Sequence, residues 1–199
     1  MKMIRGVNKM NRCNWVTNDP VYIHYHDHEW GIPVYEDQKL FEMLSLEGAQ
    51  AGLNWITILK RRENYKKAFD QFNIDIVANY SEEKIQSLLQ NPEIIRNEKK
   101  IRSVVKNARL VIEIQKDFGS FSNFLWNYVN NQPIINHWSK DEEVPANTAL
   151  SKKISNDLRK KGFSFVGPTI IYSFMQAIGM VNDHLITCFC HPAYIHNSK

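Results

Sequence analysis

A run of 21 residues without a charged side chain, 162–182, constrains the fold of this 199-residue chain more than any other feature. A segment of that length could in principle span a bilayer. However, only 12 of its residues are apolar, and Pro168, Gln176, Asn182 and three glycines interrupt it. Proline suits the first position of a helix, so we predict a buried central helix over Thr169–Val181 and no membrane partner.

Helical periodicity dominates the rest of the chain as well. Apolar residues recur at spacings of three and four in residues 37–51, 101–112 and 150–158. Ser81 precedes two acidic residues and is typical of an N-cap, and Gly162 is placed to end a helix. Alternating strand patterns are scarce. We therefore predict that the fold is all-α or nearly so.

No linker divides the chain into separate units. We predict one domain over residues 12–191, with room for two helical subdomains, between an N-terminal extension (1–11) and a C-terminal tail (192–199). Three cysteines are too few, and odd in number, for a secreted disulfide framework, and no apolar signal region follows the basic N-terminus. We expect a monomer in the reducing cytoplasm.

Basic residues are concentrated in three windows, 60–67, 93–109 and 152–161. Together the windows hold 16 basic and 4 acidic residues, a net charge of +12, whereas the rest of the chain carries −8. Clustered lysine and arginine side chains bind nucleic-acid phosphates with release of counterions. The pattern indicates a polyanionic partner if the windows converge, and solvated helix faces if they do not.

The second basic window begins in a tight connection, residues 91–96, between two predicted helices. A helix-hairpin-helix of this kind can direct backbone N–H groups and the positive end of a helix dipole at a phosphate. Lys99, Lys100 and Arg102 follow directly. An ordinary helix connection has the same sequence pattern, so both interpretations remain open at this stage.

Cysteines and histidines lie near both ends of the chain, which indicates a metal site. His184 and Cys188 share a face if their segment is helical, and Cys13 and His26 are thirteen residues apart. Two cysteines and two histidines would complete a closed, structural zinc site that joins the two chain ends. Spacing alone leaves competitors, and buried thiols with surface imidazoles would also fit; the competing ligands are His24, His28, His191 and Cys190.

Glu47 falls inside the apolar stripe of the helix predicted over residues 37–51. A buried carboxylate is costly unless it is paired or serves a function. One interpretation is a pair with an arginine at the edge of the core; the other is an acceptor for a polar or cationic ligand. Five aromatic residues nearby favour a planar ligand such as a nucleobase, namely Trp15, Tyr22, Tyr25, Trp30 and Trp55.

Several long blocks resemble one family. RCNWVTNDPVYIHYHDHEWG, LFEMLSLEGAQAGLNWITILKRRENY and KKGFSFVGPTIIYSFMQAIGMVNDH are similar to the Tag-type DNA-3-methyladenine glycosylases I. The similarity runs from Arg12 almost to the C-terminus without a large insertion. It implies a helix-hairpin-helix glycosylase fold with one structural Zn²⁺ per chain, held by Cys13, His26, His184 and Cys188.

The resemblance also implies the remaining site residues. Base binding falls on Glu47, Tyr25 and Trp55, with Tyr22 and Trp30 as further pocket walls. DNA contacts fall on the hairpin and the residues after it, and Leu53 is a candidate wedge for the gap left by a flipped nucleotide, although a core leucine is the alternative. The hairpin set is Ile94, Ile95, Arg96, Lys99 and Lys100, and Glu93 stands where such hairpins usually have glycine.

The implied activity is hydrolysis of the glycosidic bond of 3-methyladenine in alkylated double-stranded DNA, with the free base as product. Tyr25 and Trp55 would clasp the flipped cationic ring, and Glu47 would accept hydrogen bonds from its amine edge. We assign no general base and no Schiff-base lysine. The alternatives are a reader of damaged bases that does not hydrolyse them and a metal-stapled interaction module without a nucleic-acid role.

Overall fold

The computed structural model describes the backbone of residues 11–197 and the side chains of residues 11–194. The predicted N-terminal extension therefore lies outside the described residues except for Asn11. The described part is mainly helical, which confirms the predicted fold class. Its α-helices, in chain order, are α1 (Pro20–His28), α2 (Asp37–Gln50), α3 (Trp55–Leu59), α4 (Arg62–Ala68), α5 (Ile74–Ala78), α6 (Glu82–Gln90), α7 (Glu98–Phe118), α8 (Phe121–Trp126), α9 (Ala149–Lys160), α10 (Pro168–Ala177) and α11 (Pro192–Asn197).

The charge-free segment forms the buried helix α10, which packs against α2 and α9. Pro168 is its first residue, as predicted, but the helix ends at Ala177 rather than at Val181. Gly179 has φ +65°, and a Cβ there would lie 2.2 Å from the carbonyl carbon of Ile32. The chain therefore turns away from the helix at this point. None of the described helices combines the length and apolar character needed to cross a membrane.

A short strand follows the turn at the end of α10. β2 (Val181–Asn182) pairs in parallel with β1 (Ile134–Ile135), with Ile134 opposite Val181. This pairing replaces the C-terminal end of the predicted helix. It brings the segment after α10, including Asp183 and His184, back to the body of the protein.

Helix α2 is buried around its whole circumference over residues 40–49 rather than along one stripe. It contacts α3, α7, α8 and α10. Two acidic residues of α2, Glu42 and Glu47, lie in the core. Glu42 is paired with Arg62, whose Nε donates to Glu42 Oε1 at 2.6 Å. Glu47 belongs to the same buried helix but has no such arginine, so the pairing interpretation does not apply to it.

The connection between α6 and α7 has the predicted position. Ser81 caps α6 by accepting from the backbone N–H of Lys84, and Asn97 caps α7 in the same way. Between the helices, the Asn91 side chain accepts from the backbone N–H of Glu93, and Ile94 packs into the core. The connection is thus anchored by the buried side chain of Ile94 and ends at the Asn97 cap of α7.

Candidate active site and metal centre

A cavity of about 600 Å³ opens between α1, α2, α3 and α10. Part of its wall is aromatic, and another part carries polar groups from α10 and from the segment after β2. Glu47 of α2 also lines the cavity. The lining residues are Cys13, Asn14, Trp15, Tyr22, Tyr25, Trp30, Glu47, Gln50, Trp55, Asp141, Val144, Ser173, Gln176 and Asp183.

Glu47 is 3% exposed, and its Oε2 has no hydrogen-bond partner among the described residues. Burial raises the pKa of this carboxyl from 4.5 to about 8, because no charged or polar partner offsets its desolvation. The indole N–H of Trp55 is likewise buried without a partner. Buried polar atoms are normally satisfied, so two orphaned groups at one cavity indicate a place for a ligand.

The aromatic wall consists of rings that touch one another at steep angles. Tyr25 and Trp55 have centroids 5.5 Å apart and planes inclined by 56°. Trp15 lies edge-on to Tyr22 and to Trp30, at 5.5 Å and 5.1 Å. The structure therefore brings all five aromatic residues singled out in the sequence to one cavity with Glu47. Such a wall suits a flat ring.

The polar wall was not assigned from the sequence. Ser173 and Gln176 are three residues apart on α10, so their side chains share the face that borders the cavity. Asp183 follows β2 and accepts from the Gln176 side chain at 2.7 Å. The available signal was the presence of serine and glutamine at helical spacing within an otherwise apolar helix.

Next to the cavity, four buried ligand groups converge. The ligand atoms of Cys13, His26, His184 and Cys188 all lie within 4.8 Å of one another. Cys188 Sγ is 3.4 Å from His26 Nε2 and 3.5 Å from His184 Nδ1, and Cys13 Sγ is 3.6 Å from His184 Nδ1. The geometry favours this set over the competing histidines, and Cys190 lies half-buried outside it.

Both histidines of the cluster are held by a second partner. His26 Nδ1 lies 2.8 Å from Asp27 Oδ1, and His184 Nε2 lies 3.0 Å from the carbonyl oxygen of Trp30. Since both partners are acceptors, each outer ring nitrogen carries the proton and each inner nitrogen offers a lone pair to the cluster. Arg12 in turn holds Asp27 with a bidentate ion pair, at 2.7 Å from Nη2 to Oδ2.

The cluster and the cavity share parts of the chain. Cys13 lines both, His26 directly follows Tyr25 on α1, and His184 directly follows Asp183. The ring of Trp30 borders the cavity while its carbonyl accepts from His184. A metal bound here would therefore fix the position of walls on two sides of the cavity.

The model of the methyladenine glycosylase family matches residues 15–191. The chain belongs to this family. DNA-3-methyladenine glycosylase 1 of Escherichia coli is 49% identical over 183 residues, covering 92% of this chain and 98% of the relative. The Haemophilus influenzae DNA-3-methyladenine glycosylase is 46% identical over 179 residues, covering 90% and 97%.

Solved structures of family members have the same fold. A crystal structure of 3-methyladenine DNA glycosylase I superposes with a TM-score of 0.89 at 49% identity and covers 92% of this chain and all of that one. The Staphylococcus aureus enzyme, solved to explain its recognition of 3-methyladenine, has a TM-score of 0.88 at 39% identity, with 93% and 97% covered. These matches confirm the family resemblance identified in the sequence.

The residues predicted to contact DNA differ in exposure. Leu53 is 38% exposed in the loop between α2 and α3, so it is not a core leucine, and Arg96 and Lys99 are exposed at the hairpin. Ile94 is 2% exposed, and the backbone N–H of Ile95 donates to the Tyr65 hydroxyl. Leu53, Arg96 and Lys99 are therefore the side chains of this set that a duplex could reach.

Lys100 has a clear intramolecular role. Its ammonium donates to the backbone carbonyls of Ala49 and Ala51, at 2.8 Å and 2.7 Å. Cations at a helix C-terminus bind the carbonyls that lack intrahelical partners. Lys100 therefore caps α2, the helix that carries Glu47. Burial of the ammonium group lowers the pKa of Lys100.

Much of the first basic window is neutralised within the protein. Lys60 pairs with Asp19 at 2.6 Å, and Arg62 pairs with Glu29 and Glu42. The positive charge counted in the sequence therefore overstates what this window offers a polyanion. Lys67 and Lys106 are exposed cations for which no acidic partner is found within the described residues.

Proposed function

We propose that the protein removes 3-methyladenine from alkylated double-stranded DNA by hydrolysing its N-glycosidic bond. The observation that carries this conclusion is the buried Glu47 carboxyl in an aromatic cavity, whose Oε2 has no hydrogen-bond partner in the part of the chain that the structure describes. The similarity to DNA-3-methyladenine glycosylases and the recognition of 3-methyladenine by a relative of the same fold support it.

The lesion itself supplies much of the driving force. Methylation at N3 gives adenine a positive charge, so the base departs neutral and the glycosidic bond is already weakened. A damaged, poorly paired base also costs less to flip out of the duplex. The enzyme must then grip the base more strongly as it separates from the sugar than it does before.

The cavity supplies that grip through two kinds of contact. The inclined rings of Tyr25 and Trp55 stack on or border the flat cation and attract its charge by cation–π interaction. Glu47, whose ionised form is favoured once the cationic base lies beside it, accepts a hydrogen bond from the exocyclic amine in a water-poor environment, where the bond is strengthened. Guanine presents a carbonyl at the same ring position, which a carboxylate would repel.

Water attacks the anomeric carbon in a simple hydrolysis. We assign no general base to this step. A Schiff-base lysine is not needed either, so the enzyme acts as a monofunctional glycosylase that leaves the DNA strand uncleaved. Orientation and differential binding then account for the acceleration.

The DNA would lie across the mouth of the cavity. Leu53 is placed at the loop beside Glu47's helix, where it could fill the space left by the flipped nucleotide. Arg96 and Lys99 at the hairpin would hold backbone phosphates, together with the N-terminus of α7, and Lys100, Ile94 and Ile95 would support that segment. Binding should therefore weaken steeply with salt.

We assign the four-residue cluster to one Zn²⁺. Two thiolates and two imidazoles are the donors that zinc prefers, and a tetrahedral site with standard bond lengths has sulfur–nitrogen edges of about 3.5 Å. The sulfur–nitrogen separations of 3.4–3.6 Å fit that geometry. Four protein ligands leave no open position, so the ion would stabilise the fold and take no part in hydrolysis. Reduced thiols suit the cytoplasm, where we place a monomeric enzyme.

The test is release of the free base. Methylated duplex DNA is incubated with the protein, and the soluble fraction is analysed for 3-methyladenine by chromatography and mass spectrometry. We expect free base from the wild type, strongly reduced release from Glu47→Gln, and no strand breaks. Tight binding of the alkylated duplex without any released base would instead establish a damage reader and overturn the proposal.

A further inference from the structure

The polar wall of the cavity contains a side-chain amide whose orientation is fixed. Gln176 Nε2 donates to Asp183 Oδ2 at 2.7 Å, and amide NH₂ groups can only donate. The amide oxygen therefore points away from Asp183. It has no hydrogen-bond partner among the described residues, and the residue borders the cavity.

Asp183 is a carboxylate that can only accept hydrogen bonds, and its partners hold it in place. Its Oδ1 accepts from the Asn136 amide and the Trp138 indole, and its Oδ2 accepts from the Tyr172 hydroxyl and Gln176, each at 2.7 Å. Four donors occupy both oxygens of this 1% exposed carboxyl. Because Asp183 can only accept, Gln176 must turn its NH₂ group toward Asp183. The amide carbonyl of Gln176 then points away from Asp183.

The chemistry of the base identifies what this carbonyl can bind. In 3-methyladenine the N–H hydrogens are the two on the exocyclic amine. Glu47 accounts for one of them, so the other requires a second acceptor once water is excluded. The polar wall that holds Gln176 and the helix that holds Glu47 border the same cavity.

We propose that the side-chain carbonyl of Gln176 accepts the second amine hydrogen of the flipped base, and that Asp183 is the positioning residue that fixes this acceptor. The inference rests on the proposed function and adds a specificity element to it. A base with oxygen in place of the amine would face two acceptors, and a site built to accept hydrogen bonds rejects such an analogue.

The first test replaces Gln176 with methionine, which keeps the size of the side chain but removes the amide. Affinity is measured by calorimetric titration with 3-methyladenine and with 3-methylhypoxanthine, which has the oxo group instead of the amine. Loss of one hydrogen bond should weaken 3-methyladenine binding about three- to tenfold and should not weaken the oxo analogue. Gln86→Met is the matched control, because that amide also donates to a carboxylate, Glu82, but lies on α6 away from the cavity.

The second test is Asp183→Asn. The Trp138 indole can only donate, so it should keep the new amide oxygen, and the new NH₂ should face Tyr172 and Gln176. Gln176 then turns its own NH₂ toward the cavity. We expect weaker binding of 3-methyladenine, tighter binding of the oxo analogue, and at least a tenfold drop in their affinity ratio.

A double variant separates positioning from general damage. In the Gln176→Met background, Asp183→Asn should leave the affinity ratio unchanged, with metal content and melting temperature measured alongside. An equal loss for both bases in Gln176→Met, or an equal effect of Asp183→Asn in both backgrounds, would overturn the assignment. Failure of the wild type to bind 3-methyladenine at all would overturn the proposed function itself, which distinguishes the two failures.

Discussion

The metal cluster and the base cavity share helix α1 but differ in whether their buried polar atoms have hydrogen-bond partners. At the cluster, both ligand histidines have a second partner, Asp27 or the Trp30 carbonyl, and Asp27 is held by Arg12. At the cavity, Glu47 Oε2 and Trp55 Nε1 have no partner among the described residues. At the cluster the chain itself satisfies the outer nitrogens of the ligand histidines, whereas at the cavity two buried polar atoms need a ligand to be satisfied.

The difference has an energetic consequence. The pKa of Glu47 rises from 4.5 to about 8, and each pKa unit corresponds to 1.36 kcal/mol, so the ionised group destabilises the fold by about 5 kcal/mol above pH 8. Domains have net stabilities of roughly 5–15 kcal/mol. A metal that joins the two chain ends next to the cavity is one way to offset such a cost.

The largest effect should come from removing a ligand of the cluster. Cys188→Ala should release the metal and destabilise the protein by about 5 kcal/mol or more, because metal affinity at a closed site is also folding free energy. Metal content and thermal unfolding measure the result. Cys190→Ala is the matched control, since this thiol lies two residues away and outside the cluster, and it should retain the metal. Equal metal loss in both variants would contradict the ligand assignment.

Glu47→Gln should separate stability from activity. Loss of a charged hydrogen bond to the base should lower kcat/KM by about 10- to 100-fold. The same change should stabilise the protein, because the penalty for the buried charge disappears. The gain in melting temperature should be smaller near pH 6 than near pH 8.5.

The sign of this pH dependence follows from the raised pKa. Below pH 4.5 the carboxyl is protonated in both the folded and the unfolded chain, so it carries no penalty. Between pH 4.5 and about 8 the unfolded chain ionises first, and wild-type stability falls relative to Glu47→Gln. A stability difference that does not change with pH would show that this carboxyl is not desolvated.

Asp27→Ala tests whether the cluster depends on its outer partners. Loss of the carboxylate that holds His26 should lower metal affinity by about 10- to 100-fold without abolishing binding. Competition with a chelator measures this affinity. Glu63→Ala is a control that removes an exposed acid paired with Lys66; it should leave metal affinity unchanged.

The sequence predicted five of the described α-helices, α2, α6, α7, α9 and α10, because their causes are local. Ser81, Asn97 and Pro168 act at helix starts, and apolar spacing identifies the buried faces. The wrong boundary at the end of α10 reflects a local signal that the prediction missed. Gly179, with φ +65°, follows the C-cap residue Ile178, the same position after a helix that Gly162 holds after α9.

The functional site could likewise be predicted only in part from the sequence. Glu47 stood out because a carboxylate in an apolar stripe conflicts with its surroundings. Gln176 also interrupts an apolar segment, but Asp183 conflicts with nothing in its own segment. Their arrangement depends on Asn136, Trp138 and Tyr172, which come together only in the folded chain. The metal ligands needed the family resemblance, since spacing alone left Cys190 as a competitor.

The smallest predicted effect compares two adjacent lysines after the hairpin. Lys99 is exposed, so Lys99→Met should reduce the salt dependence of duplex binding by about one phosphate contact, a slope change of about 0.9, without changing stability.

Lys100 is already bound to the Ala49 and Ala51 carbonyls, so Lys100→Met should leave the salt slope unchanged. It should instead destabilise the protein by about 1–2 kcal/mol and weaken base binding, because the end of α2 is no longer held. Filter binding at several salt concentrations and thermal unfolding measure the two effects. A reduced salt slope in Lys100→Met would mean that this lysine leaves the helix end for a phosphate when DNA binds.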